Sequence, residues 1–446
     1  MTGIMFDDAL SLLVATLARL AGSDFVEAGI VLRDSSGRLG FVADRTPRDE
    51  NERGELGHAV IEALGVYARS DRPVRFRGDG GAETLLSEPL ALPVQIGETF
   101  CRLVDRRVVG AGWLDAPATG PVSPPRVVFA ALKGGVGRST ALAVAAADLA
   151  RANRNVLVVD LDLEAPGLGD LLLDSSRIPE LGVIDYLVEN GLGGVPDADM
   201  HHYIGTSELT SADGGRVDVF PALGRRSLSH PENILPKLAR AMIEDVVDGS
   251  SISVAKQISM MISATTKSEQ YDVVLIDSRA GLAELAAPAV LGLGATVLLF
   301  GTAQKQTVEG YRALFAALQL LAQRDRAQNR DTEWRTMLRP VYAKASAGND
   351  VAEQFFIDEM FELYSAHIYD AEEPDDASAE FLRFVRDDKT APHWPLIVPF
   401  NSAFIDFDPS RTPGQLTQSF YEQTFRPFLS ELWSAINLTR AEEGLQ

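Results

Sequence analysis

Three short stretches of this chain carry residue types that could handle phosphate. The first is VVFAALKGGVGRST, Val127 to Thr140. An apolar run leads into glycines at 134, 135 and 137, and a Ser–Thr pair opens the segment after them. Gly134, Gly135 and Gly137 let the backbone approach an anion closely and aim successive N–H groups at it, with Val136 between them. A helix beginning near Ser139 adds the positive end of its dipole. Ser139 stands where a hydroxyl would meet Mg2+, and Thr140 beside it near the α-phosphate. The common loop, G-x-x-x-x-G-K-[ST], would place lysine where this chain has Arg138 and glycine where it has Leu132. A lysine does occur, at Lys133, before the glycines. A glycine-rich turn with no ligand is the alternative, and the strand before and helix after weigh against it.

The second stretch is VLVVDLDLEAPGLG, with Asp160 and Asp162 at the carboxyl end of an apolar run. Open α/β sheets place their ligands at such strand ends. Two carboxylates one residue apart are costly there unless a cation or hydrogen-bond donors wait for them. The third is YDVVLIDSRAGL, where four apolar residues deliver Asp277 to a strand end, the form of a carboxylate that orients Mg2+ through its water. Each acidic stretch alone also reads as a solvated turn; the order of loop, Asp pair and Asp is what gives them weight together.

The elements that must position these residues are legible in outline. Near-continuous Val/Leu/Ile runs (Val127–Ala131, NVLVVDLD, YDVVLIDS, GATVLLFGT) alternate with helical segments such as Ser139–Arg151. That pattern predicts an α/β fold, a mostly parallel, doubly wound sheet flanked by helices. A mostly helical insertion falls at about 231–270, a helical acidic stretch follows Asn349, and WPLIVPF reads as a late strand. RALFAALQLLAQRDRAQ reads as an amphipathic helix packed on the sheet. Residues 119–125 lie within the proline-rich DAPATGPVSPPR, where neither helix nor central strand can continue, so they are read as a linker. Before it, residues 1–118 read as a small α+β domain. Phe6, Leu10, Leu13, Val14 and Leu17 fall at helical spacing, and two apolar runs flank Ser35-Ser36-Gly37 as a hairpin would. FCRLVDRRVVGAGWL reads as strand material ending near Trp113.

With the residues laid out in this order, Lys133-Gly-Gly-Val-Gly-x-Ser-Thr, then Val159-Asp-Leu-Asp, then Ile276-Asp-Ser-x-Ala-Gly, the chain resembles the ParA/MinD-type P-loop ATPases with the deviant Walker A motif. KGGVGR with DLEAPG is similar to a variant branch of that family, found mainly in bacterial multidomain or operon-encoded proteins, some with proposed defence roles. The likeness covers roughly Arg126 to Leu320, extends less securely to PVYAK and LIVPFN, and does not include the N-terminal domain. It implies an ATP-binding, Mg2+-dependent molecular switch that dimerises, hydrolyses ATP slowly and acts through a partner protein; residues 1–118, outside the likeness, are expected to read out or recruit that partner. By the same resemblance, Lys133 reaches the partner chain's nucleotide and Asp162 activates the attacking water. Ser139, Asp160 and Asp277 belong to the magnesium shell, and Asp277 to Gly281 form a switch. Arg138 departs from the pattern: arginine keeps the charge but brings a bulkier planar fork, which leaves binding intact and puts hydrolysis in question. A nucleotide sensor without turnover is therefore the second reading. For the base, Tyr342 and Lys344 of PVYAKAS are candidates, against a partly buried Tyr beside a solvated Lys.

Composition bounds the rest. The 446 residues carry 63 Asp and Glu against 41 Lys and Arg, a net charge of −22, which argues against a sequence-independent grip on nucleic acid. Cys101 is the single cysteine, so no disulfide or Cys-ligated metal can form within the chain, which suits a reducing cytoplasm. No stretch is apolar enough to span a bilayer. His201-His202 lack companion ligands and read as a surface pair. The tail has an aromatic stripe (Phe420, Phe425, Phe428, Trp433) but is acidic at Glu442 and Glu443, so it reads as core or partner surface and not as a membrane helix.

Overall fold

A computed structural model of the chain describes residues 4–120, 122–209, 215–247, 250–371 and 381–436. It divides into two compact units. The first comprises residues 1–116 and 317–331, the second 117–316 and 332–446.

In the first unit the elements run α1 (Phe6–Ala21), α2 (Ser23–Ala28), β1 (Ile30–Arg33), β2 (Leu39–Ala43), α3 (Glu50–Leu64), β3 (Val74–Phe76), α4 (Ala82–Leu86), β4 (Leu92–Ile96) and β5 (Thr99–Asp105). The five strands form one mixed sheet in the order β3-β2-β1-β5-β4. The expected hairpin is there: β1 and β2 pair antiparallel, with Gly37 turning at φ 87°. Leu10, Leu13, Val14 and Leu17 of α1 pack with Phe25, Phe41 and Phe76 on one face, and α4 covers the other through Ala82, Leu85 and Leu86. Phe6 departs from the periodic reading; it is half exposed, with the Arg33 guanidinium over its ring. The last expected strand stops at Asp105, and Val108 and Val109 lie in the open before a 3-10 turn that buries Trp113.

The second unit continues with β6 (Arg126–Ala131), α5 (Arg138–Arg151), β7 (Asn155–Asp160), α6 (Leu168–Leu172), α7 (Val183–Gly193), β8 (Gly205–Thr206), β9 (Arg216–Phe220), α8 (Arg225–Ser229) and α9 (Ile234–Ala241). Then come β10 (Asp245–Val247), β11 (Ser250–Ile252), α10 (Val254–Ser268), β12 (Val273–Asp277), α11 (Ala286–Leu291), β13 (Thr296–Gly301), α12 (Lys305–Ala327), β14 (Leu338–Ala345), α13 (Asp350–His367), β15 (Leu396–Pro399) and α14 (Gln418–Ala435). Eight strands line up as β15-β14-β13-β6-β12-β7-β9-β8, all parallel except β8 at one edge. The large, mostly parallel sheet flanked by helices is thus the architecture the apolar runs predict.

The central strands are buried on both faces. Val127, Phe129 and Ala131 point to the side of α5 and α14, sharing a core with Phe425, Phe428 and Trp433, while Val128 and Ala130 point the other way. That settles the aromatic stripe as core, with Phe420 at its margin. One buried carboxylate ties the two helices: Asp148 of α5 accepts from Trp433 Nε1 at 2.8 Å and from the Tyr421 hydroxyl at 3.3 Å. The 231–270 insertion is helical at both ends but holds the antiparallel β10–β11 hairpin between them. The long amphipathic helix α12 is shared between the units: its residues from 317 onward group with the first, where Arg324 is 1% exposed and donates to the carbonyls of Leu114 and Asp115. Most of the acidic stretch after Tyr369, and Glu442 and Glu443, lie outside the described residues.

Candidate functional site

The three stretches singled out by their residue types converge because β6, β7 and β12 are neighbours in one parallel sheet and end on the same side. In register, Asp277 sits beside Asp160 on β7 and Phe129 on β6. Backbone bonds stitch these ends: Gly281 N donates to Ala131 O at 2.8 Å and Leu161 N to Asp277 O at 2.9 Å. The sheet thereby holds loop and carboxylates in one place before any ligand arrives.

The glycine loop leaves β6 at Leu132 and enters α5 at Arg138. Gly135 and Gly137 adopt φ of 75° and 91°, a region that costs an L side chain about 1–2 kcal/mol. A Cβ at Gly134, Gly135 or Gly137 would meet no atom within 4 Å, so the glycines serve the turn and an open approach, not tight packing. Val136 is buried beneath them. Leu132, the residue in place of the usual glycine, fits because α12 has Gly310 opposite it; a Cβ there would lie 2.8 Å from Leu132 Cδ1.

The side chains divide into two groups. Lys133 is exposed, with Nζ 3.4 Å from Gln306 Oε1 and no carboxylate partner among the described residues. Arg138 is the opposite case, a helix-start residue only 9% exposed. Its guanidinium turns down toward the strand ends, donating from Nε to Asp277 Oδ1 and from Nη2 to Asp162 Oδ2 at 3.0 Å. Ser139 Oγ donates to the other oxygen of Asp277 at 2.6 Å. Asp162 is held twice over, because Arg279 Nη1 reaches its Oδ1 at 3.2 Å while Arg279 Nη2 pairs with Glu164 at 2.8 Å. Sequence reasoning placed Arg279 only within the Asp277–Gly281 switch and gave it no partner of its own.

Asp160 does something different from its neighbours. Its oxygens accept from the backbone N–H of Asp162, Gly167 and Leu168 at 3.1, 3.2 and 3.1 Å, which folds the DLEAPG turn around it. Among the described residues no cationic side chain pairs with it, and burial together with the Asp277 charge pushes its carboxyl above the ordinary range. Burial raises Asp277 as well, against the opposing pull of Arg138 and Ser139.

Two cavities flank the loop. One, of about 270 Å³, lies between Lys133, Val136, Leu282 and Gln306. The other, of about 290 Å³, runs from Gly135–Gly137 and Thr140 to Lys344, Phe400, Asn401 and Ile405. Of the two base candidates only Lys344 reaches it, at φ 56°; Tyr342 is buried and stacks on Phe356 at 5.0 Å. Phe400 and Ile405 line it while half to two-thirds exposed, and sequence reasoning passed over them because one exposed apolar residue has no signature. The rings of His201 and His202 lie against each other, tilted by 40° with centroids 3.9 Å apart, and among the described residues no cluster of His, Cys, Asp and Glu is arranged to hold a metal.

No protein-family model matches the chain, and no curated protein matches it. Among solved structures it is similar to the MinD cell division protein of Aquifex aeolicus, 16% identical over 70% of this chain and 97% of that one, with a TM-score of 0.40. A ParA of pNOB8 bound to nonspecific DNA matches at 13% identity over 70% and 97%, TM-score 0.41. Cobyrinic acid a,c-diamide synthase of Mycobacterium smegmatis, solved with ADP and magnesium, matches at 18% over 52% and 80%, TM-score 0.35. At TM-scores this low, the chemistry has to be read from the chain's own side chains. Among the described residues, no helix is long and apolar enough to cross a membrane.

Proposed function

We propose that the chain binds ATP with Mg2+ at the Gly134–Thr140 loop and works as a slow ATPase switch of the ParA/MinD kind, dimerising through its nucleotide face. The observation that carries this reading is the loop itself. Two positive-φ glycines stand open in front of a 14-residue helix, above a hydroxyl already paired with a strand-end carboxylate. N–H groups of residues 134–140 would bind the phosphates, and the apolar cleft at Phe400 and Ile405 would take the base, with Lys344 at its edge. Ser139 and Asp277 fit a magnesium ion, one through its hydroxyl and the other through water. Asp160 does not, since backbone donors already engage its oxygens. When bound, the ion would neutralise charge on the β- and γ-phosphates. Lys133, free to extend, would reach the nucleotide of a second copy. Asp162 would position the attacking water once a phosphate draws Arg138 away from it. The N-terminal unit would recruit a partner protein.

A second reading, a sensor that binds without turnover, is favoured by one specific observation: both oxygens of Asp162 are engaged by arginines. Phosphate release from ATP by the purified chain, measured beside its mass in solution with ATP, with ADP and with neither, separates the two. Release that disappears in Lys133→Ala together with ATP-dependent dimers supports the switch; tight binding without release supports the sensor, and no binding rejects both. Net charge disfavours a DNA partner, while one structural neighbour was solved on nonspecific DNA; a salt-sensitive DNA shift assay decides that point.

A further inference from the structure

The first unit holds a cavity of about 490 Å³, within the size range of small-molecule sites. One wall is the face of α3 carrying Arg53, Gly54, Gly57, His58 and Ile61, and the other is the segment 71–75 with the turn at Asp79 and Gly80. The missing side chain at Gly54 leaves open space, since a Cβ there would meet nothing within 4 Å. Gly57 instead lets Pro73 pack close, at 3.3 Å from where a Cβ would be.

The charges lining this cavity are unevenly matched. Asp79 is engaged by Arg53 at 2.7 Å and by the backbone N–H of Phe76 at 2.9 Å, and Asp71 lies 3.5 Å from Arg69. Neither Arg72 nor Arg75 forms an ion pair among the described residues, and the hydrogen bond of Arg75 is a long one, 3.4 Å to the carbonyl of Gly80. Arg75 is half buried, and burial with the charges of Arg69 and Arg72 holds its pKa below the ordinary arginine value, with Asp79, already engaged by Arg53, opposing them only in part. A half-buried guanidinium beside like charges is unfavourable unless an anion offsets it. Guanidinium forks suit phosphate oxygens in two-pronged fashion, while Ile61 and Pro73 offer apolar surface next to them.

We propose that this cavity binds a small phosphomonoester of mononucleotide size, its phosphate between Arg72 and Arg75 and its organic part on Ile61 and Pro73. The site is independent of the glycine loop and of the function proposed for it.

The test is calorimetric titration of the full chain and of its Gly137→Ala variant, with no other nucleotide present, so that binding at the loop, which the variant weakens, is told apart from binding at the cavity, which it leaves unchanged. The probes are AMP, ribose 5-phosphate, inorganic phosphate and citrate. AMP or ribose 5-phosphate is expected to bind more tightly than inorganic phosphate, with citrate weaker still. Affinity is expected to fall by about tenfold or more in Arg75→Met and in Arg72→Ala, and Arg75→Lys to recover part of it. Arg75→Met is also expected to leave the melting temperature unchanged or higher, because it removes a like-charge neighbour. Silence from all probes at millimolar concentration, equal affinity in Arg75→Met, or citrate binding as tightly as the phosphates would overturn the proposal. So would a melting temperature several degrees lower in Arg75→Met, which would make Arg75 a structural residue.

Discussion

Replacing Arg138 by methionine keeps the length of the side chain and removes the one cation that bridges Asp277 and Asp162. Deleting one partner of a buried ion pair costs about 3–5 kcal/mol, because the other charge is left in a poor solvent. The lower end applies here, since Arg279 still covers Asp162 and Ser139 still donates to Asp277. A loss of about 3 kcal/mol corresponds to roughly 4 to 5 °C in melting temperature for a unit of this size, at about 2.1 cal/mol/K of unfolding entropy per residue. The loss should also depend on pH. A carboxyl whose folded pKa is raised above its unfolded value takes up a proton on folding, so stability falls as pH rises from the unfolded value through the folded one. Asp277 is such a group, and Arg138 opposes the rise. Without Arg138 its folded pKa climbs further, so the gap between variant and parent widens from about pH 4 upward. Thermal melts of both proteins in magnesium-free buffer at pH 5 and pH 8 measure this. A gap of the same size at both pH values, or a variant as stable as the parent at pH 8, would refute the account of Arg138 as the counter-charge of the strand ends. Arg138→Lys refines it: one ammonium cannot serve both carboxylates as the guanidinium does, so its melting point should fall between the other two.

Gly137→Ala places a Cβ where φ is 91° with no atom in its way, so it should cost about 1–2 kcal/mol in a denaturant melt yet weaken ATP binding by far more than tenfold. Lys133→Ala should shift the melting temperature by less than about 1 °C, because its polar contact is a long one, to Gln306 at 3.4 Å, while abolishing phosphate release. Phe400→Ala should weaken ATP binding but leave pyrophosphate binding unchanged in calorimetry, since Phe400 lines the cleft beyond the phosphates. Trp433→Phe leaves Asp148 short of its 2.8 Å donor in a fully buried place and should cost about 1–3 kcal/mol in the same denaturant melt.

Local pattern was enough to lay out the second unit. Apolar runs of four residues ending on Asp160 and Asp277 read as buried strands, and the glycines before Ser139 as a turn into a helix, because these choices depend on neighbours in sequence. What lay beyond was set by distance in the chain. Arg216–Phe220 became an interior strand by pairing with β7, although its alternating polar residues hide that burial. The assignment of residues 317–331 to the first unit has no local signature, since an amphipathic helix looks the same whichever core it faces. At the site, residue types, their spacing and the family resemblance named Lys133, Arg138, Asp160, Asp162 and Asp277, but not what each one touches. Charge could not reveal that Arg138 turns to the carboxylates, that Asp160 gathers backbone donors, or that Arg279 closes on Asp162. Those outcomes are decided by which strand ends stand side by side and how much water the packing leaves them, and only the tertiary structure sets either.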